Sequence, residues 1–237
     1  MFLRNLKFLF ILLHTDVAIC MNLNYLKGIA FKGVEYAHFI SSDFKGIGGA
    51  SFSRNGIHDI ISNMGLYAFR GTIFKNIRDW TTNLNSKLTP INFGIYDRDI
   101  RVHKGFLNEY NQQRYIIMNI ILNENKKELL ITGYSSGGTL ATLLALDVVQ
   151  TIPDIKVTLI TFGMPRLGNN IFTNYLKNQN TNQMIQKHYL IEDDPVGLFP
   201  FFNNKYSSII NQGNTSFNFC NITKHIKSHS LTEYSKI

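Results

Sequence analysis

The chain has 237 residues, 44% of them hydrophobic and 17% charged, with a formal net charge of +8. That length suits one α/β domain with a substantial core, and the balance excludes a disordered or low-complexity chain. The basic residues form no long block, which argues against a nucleic-acid-binding face, and the frequent Lys and Asn of an AT-rich coding sequence account for the charge without a functional surface.

In chain order, Arg4 and Lys7 precede an apolar run from Phe8 to Leu13, and Ala18, Ile19 and Cys20 follow. Basic residues, an apolar stretch and small residues in that order describe a secretory signal over residues 1–20, leaving a single domain over 21–237. His14 and Asp16 interrupt the apolar stretch, so an uncleaved element packed on the domain is the alternative. No later run reaches the ~18 apolar residues that span a bilayer. Cleavage after Cys20 would leave Cys220 alone, with no disulfide and all stability resting on packing. Asn214 and Asn221 head glycosylation triplets if the chain is secreted.

Residues 21–65 show no clear pattern. From about residue 66 strand-like and helix-like segments alternate, which predicts a mainly parallel sheet covered by helices. Leu66 to Phe69 reads as a strand. Phe106, Tyr110, Ile117 and Ile121 mark one face of a helix over Gly105 to Asn123. Leu129 to Thr132 is a short buried strand, and Thr139 to Val149 favours helix. Val157 to Phe162 reads as the next strand, broken by Gly163 and Pro165. Ile171 to Leu176 reads as helix, His188 to Ile191 as strand and Ile226 to Tyr234 as a short terminal helix.

Between the strand at Leu129 and the helix at Thr139 stands Gly133-Tyr134-Ser135-Ser136-Gly137. Strand, Gly-x-Ser-x-Gly, helix is a nucleophile elbow, a turn too tight for side chains two residues to either side of the serine. The glycine spacing selects Ser135 rather than Ser136. A serine hydroxyl needs a base to take its proton and a carboxylate to orient that base, and in this architecture they follow in the order Ser, acid, His. Asp147 falls inside the helix and Asp154 at the wrong end of a strand. Asp193 and Asp194 follow a strand, at the carboxyl edge where open α/β sheets gather their chemistry. His188 precedes that pair and reads as a residue of its strand, which leaves His225 and His229. These histidines have no zinc-ligand spacing, His103 reads as a packing or hydrogen-bonding residue of its turn, and no phosphate-binding glycine loop is present, so neither metal nor cofactor is expected.

Several separated segments together resemble the fungal-type, or class 3, lipases. They are Phe69-Arg70-Gly71-Thr72, Ile77-Arg78-Asp79-Trp80, Val102-His103-Lys104-Gly105-Phe106, the elbow, Thr161 through Asn169, and Asp193-Asp194-Pro195-Val196 with Pro200. The resemblance implies an α/β-hydrolase fold with a short helical lid. It implies Asp194 as the acid and, from His229-Ser230-Leu231 with Tyr234, His229 as the base. The backbone N–H of the residue after the nucleophile, Ser136, is one oxyanion donor, and the resemblance implies Thr72 as the other. Asn83 stands where related lipases can have a carboxylate that holds the Thr72 hydroxyl. Arg70 reads as structural. Ile73, Ile77 and Trp80 recur at helical spacing and form the implied lid, whose bland alternative is a fixed surface helix. The chain departs from the family at Tyr134, usually His, at Ser136, usually Leu, and at Gly197, commonly Pro.

The implied activity is hydrolysis of acylglycerol esters at a lipid–water interface by a secreted monomer. A phospholipase A1 or a soluble-ester (feruloyl-type) esterase would use the same chemistry. A catalytically silent lipid-binding protein is the alternative of another class, and the intact set Ser135, Asp194, His229 and Thr72 argues against it.

Overall fold

Strands β5 (Glu128–Tyr134) and β6 (Lys156–Phe162) are buried along almost their whole length. Strands apolar on both faces belong in the middle of a parallel sheet covered on each side. A computed structural model describes residues 23–35, 50–52, 64–71, 87–179, 181, 183–200, 205–209 and 228–237. It places these two strands at the centre of a five-stranded sheet ordered β1-β2-β5-β6-β7, where β1 is Ala50–Phe52, β2 is Met64–Phe69 and β7 is Met184–Tyr189. β1 is antiparallel to β2, and the remaining pairs are parallel. Two short strands, β3 (Leu88–Pro90) and β4 (Arg101–His103), form a separate antiparallel ribbon.

Alternation along the strands divides the core in two. Leu129, Ile131, Val157 and Leu159 face helices α2 (Lys104–Glu124), α3 (Ser136–Thr151) and α4 (Asn170–Asn178). Leu130, Tyr134, Ile160 and Phe162 face the opposite way, onto Leu26, Ile29, Ala30 and Val34 of α1 (residues 23–35) and Tyr234 of α5 (Leu231–Tyr234).

Each helix has a local cause. The His103 imidazole caps α2, with Nδ1 accepting from the Gly105 and Phe106 amides at 3.1 and 3.4 Å. Asn125 closes the same helix in the left-handed conformation, φ 47°. α3 is buried on all sides from Ser136 to Val148, so its one acid, Asp147, must be paired within the core. It accepts from Tyr110 at 2.6 Å and from Arg114 at 2.5 and 2.9 Å, tying α2 to α3.

The structure moves several boundaries. α3 begins at Ser136, inside the elbow and directly after Ser135, three residues before the stretch that favours helix on composition. β7 begins at Met184 and ends at Tyr189, earlier than the strand expected over His188 to Ile191. Backbone pairing with β6 carries the polar residues Gln186 to His188 into the ladder. Ile191 leaves it, its amide donating to Tyr234 and its carbonyl accepting from Asp194. α1 lies in the stretch that reads without pattern, although Leu26, Ile29, Ala30 and Val34 are spaced helically. Residues 1–20, the terminal-helix residues before Ser228, Thr72, Asn83, Cys220, His225 and the lid residues Ile73, Ile77 and Trp80 lie outside the described residues.

Candidate active site

The parallel registers align Phe69 with Gly133, Tyr134 with Phe162 and Phe162 with Tyr189, so the strands end together. The segments that follow them therefore gather at one edge of the sheet. Ser135 sits in the turn between β5 and α3 with φ 54° and ψ −129°, a conformation that a residue with a side chain holds only when its surroundings impose it. The surroundings are close. A Cβ on Gly133 would lie 2.1 Å from the Gly137 carbonyl oxygen, and one on Gly137 would lie 2.3 Å from that of Arg70. The Ser135 amide donates to the Phe162 carbonyl at 2.9 Å, pinning the elbow to the next strand.

The structure brings Ser135, His229 and Asp194 together. Ser135 Oγ lies 2.9 Å from His229 Nε2, and His229 Nδ1 lies 2.7 Å from Asp194 Oδ2. All three are buried, whereas Asp193 is exposed. Asp194 precedes a 3-10 turn, Pro195–Leu198, and its Oδ1 accepts the Val196 amide at 2.9 Å. Its Oδ2 accepts a second donor, the Tyr234 hydroxyl, at 2.5 Å. The carboxylate is thus fixed by hydrogen bonds on both oxygens, an arrangement that holds it oriented towards the imidazole.

Two tyrosines enclose the imidazole. The Tyr134 ring stacks on His229 with centroids 5.0 Å apart and planes 20° apart, and its hydroxyl donates to the His229 carbonyl. Tyr234 meets His229 edge-on at 6.4 Å. Burial, and then the Asp194 charge, push both phenols far above their usual range, so they remain neutral donors. Gly163 completes the enclosure with φ +59°. A Cβ there would stand 3.0 Å from His229 Cε1 and 3.1 Å from Asp194 Oδ2.

Of the expected oxyanion donors, Ser136 is buried at the first position of α3, where backbone N–H groups project from the helix end. Gly71, next to Thr72, packs against the elbow, since a Cβ on it would stand 2.9 Å from that of Ser135. Arg70 is half-buried with its Nε lacking a hydrogen-bond partner. His103 is the helix cap described above. His188 is a β7 residue, its Nδ1 2.7 Å from Thr161 Oγ1, and burial pushes its pKa down to about 4. Sequence reasoning singled out none of Tyr134, Gly163 and Tyr234 for what they do here. In the sequence Tyr134 stands out as a departure from the family pattern, and Gly163 as a strand breaker within the Thr161 to Asn169 segment.

Among the described residues, no group of three or more His, Cys, Asp or Glu side chains is placed to hold a metal, and no helix is long and apolar enough to cross a membrane.

Known proteins share this arrangement of sequence. A lipase from Rhizomucor miehei is 32% identical over 115 residues, which is 46% of this chain and 30% of that protein. The chloroplastic phospholipase A(1) DAD1 of Arabidopsis thaliana is 31% identical over 145 residues, 54% of this chain and 31% of that protein. The matched parts therefore span only about a third of these relatives. Among solved structures, the Rhizomucor miehei triacylglyceride lipase superposes with a TM-score of 0.53 at 25% identity, covering 62% of this chain and 56% of that one. The fold is that of the α/β-hydrolases. The family model described as lipase (class 3) matches residues 66–204, more than half of the sequence, and the chain belongs to that family.

Proposed function

We propose that this protein is a serine carboxylic-ester hydrolase acting on acylglycerols, with Ser135 as nucleophile, His229 as general base and acid, and Asp194 as the residue that orients His229. The continuous hydrogen-bonded path from Ser135 Oγ through the imidazole to Asp194 Oδ2, at 2.9 and 2.7 Å, carries the reading. Nε2 takes the hydroxyl proton as Oγ attacks the ester carbonyl, and returns it to the departing glycerol oxygen. The acyl group stays on Ser135. Water then attacks that acyl-enzyme, losing its proton to Nε2, and the serine leaves with that proton while the fatty acid is released. The tetrahedral oxyanion is held by the backbone N–H groups of Ser136 and Thr72.

Ser135 has no exposed surface, so an ester reaches it only after some covering segment moves. Ile73, Ile77 and Trp80 are proposed as that lid, opening at a lipid–water interface. The same reading takes residues 1–20 as a cleaved secretory signal and 21–237 as one monomeric domain.

The test is release of fatty acid from an emulsified triacylglycerol by the parent protein and by Ser135→Ala, together with labelling by an active-site phosphonate. Loss of release and of labelling in Ser135→Ala supports the assignment. Equal release from both, or an unlabelled parent protein, overturns it, and the second result favours a silent lipid-binding protein. The match to phospholipase A(1) DAD1 favours a second reading, cleavage of a phospholipid. Phosphatidylcholine and a short soluble ester assayed beside the triacylglycerol separate these substrates.

A further inference from the structure

Tyr134 immediately precedes the serine, and its ring covers one face of the histidine that the serine meets. The ring is 6% exposed and is backed by the cluster of Leu130, Phe162 and Tyr234 beneath α1. Its hydroxyl reaches across 95 residues of sequence to the His229 carbonyl. Tyr234, edge-on to both rings, closes a second side. The imidazole is therefore held against rotation by a residue whose own backbone is part of the elbow. Nucleophile and base take their relative placement from one rigid dipeptide.

We propose, resting on the hydrolase reading above, that Tyr134 is a positioning residue for His229. Its ring fixes the plane of the imidazole, and its hydroxyl anchors the terminal segment that carries it. Catalytic geometry tolerates displacements of only about 0.5 Å, and about 1 Å costs on the order of 10²-fold in rate. A side chain that sets one ring plane therefore acts on kcat rather than on substrate binding.

The experiment measures kcat and KM on a short soluble ester for Tyr134→Phe, Tyr134→Leu and Tyr134→His, with thermal melting of each and with Ser135→Ala as control. Tyr134→Phe keeps the ring and loses one hydrogen bond, so kcat should fall about 3- to 10-fold with KM within about twofold. Tyr134→Leu loses the planar face, and kcat should fall about 10²-fold. Tyr134→His, which restores a flat ring, should recover part of that loss. In the Ser135→Ala background, the low-field proton of the His229–Asp194 hydrogen bond should exchange faster with solvent when Tyr134→Leu is added. A folded Tyr134→Leu protein with kcat within twofold of the parent, or a loss confined to KM, overturns the proposal. If Tyr134→Leu does not fold, the nearly isosteric Tyr134→Phe decides, and an unchanged kcat in it overturns the proposal. Retained activity in Ser135→Ala instead sinks the hydrolase reading on which this rests, whatever the Tyr134 variants do.

Discussion

The Tyr234 hydroxyl donates to the same Asp194 Oδ2 that meets His229 Nδ1, at 2.5 Å against 2.7 Å. One carboxylate oxygen thus serves two donors, and the Ile191 amide in turn donates to the Tyr234 oxygen at 3.2 Å. Replacing Tyr234 by Phe removes the hydroxyl and leaves that amide without this acceptor. A hydrogen bond to a charged group contributes about 1.5 to 3 kcal/mol, so urea unfolding should show a loss of that order. The less constrained carboxylate should also lower kcat several-fold at unchanged KM.

Gly163→Ala tests the enclosure from its other side. The left-handed backbone costs a residue with a Cβ about 1 to 2 kcal/mol, and the new methyl would stand 3.0 Å from both His229 Cε1 and the Tyr234 hydroxyl. Relief takes a shift of a few tenths of an ångström in the imidazole or the phenol, both part of the relay, so kcat should fall several-fold while the protein still folds. Parent-like turnover on a soluble ester would contradict this packing.

Asp147 offers a contrast, because it is buried and charged yet outside the relay. It holds Tyr110, Arg114 and, at 3.2 Å, the Thr151 hydroxyl. Asp147→Ala leaves the Tyr110 hydroxyl unpaired in the core, and breaking a buried pair of this kind costs about 3 to 5 kcal/mol. Arg114 is partly exposed and can turn to water, which places the expected loss at the lower end. Activity per phosphonate-titrated site should not change.

His103 makes stability depend on pH. Burial pushes its pKa down to about 4 from an ordinary 6.5, and Nδ1 is committed to capping α2. Below pH 6.5 the unfolded chain takes up a proton that the folded chain refuses. Stability is therefore fully present above 6.5, is lost as pH falls towards 4, and is flat below. The contribution amounts to about 3 kcal/mol. His103→Asn keeps a capping oxygen and removes the titration, so urea midpoints at pH 7.5 and 4.5 should differ less than in the parent. A residual acid loss remains from His188, whose pKa is depressed in the same direction. An undiminished difference would show that His103 is not its source.

Much of the sheet is legible locally because β5 and β6 are apolar runs of strand length between glycines and helices. α1 is harder to read, since Gly28 and Gly33 interrupt a helix whose apolar face becomes meaningful only against Phe162 and Tyr234. β7 is misplaced for a related reason. Its membership depends on backbone pairing with β6, and the hydrophobicity of Gln186, Lys187 and His188 does not record that pairing.

The sequence by itself determined that a serine stands at a glycine-framed turn after a buried strand, because that constraint is steric and acts within five residues, Gly133 to Gly137. It also confined the acid and the base to a few candidates in a fixed order. Which carboxylate meets an imidazole was decided only in three dimensions, across separations of 35 and 94 residues. Asp193 and Asp194 are chemically identical neighbours, and only the turn at Pro195 sends one into solvent and the other under Tyr234. The roles of Tyr134, Gly163 and Tyr234 depend in the same way on distances between segments far apart in the chain, which no local pattern of residue types encodes.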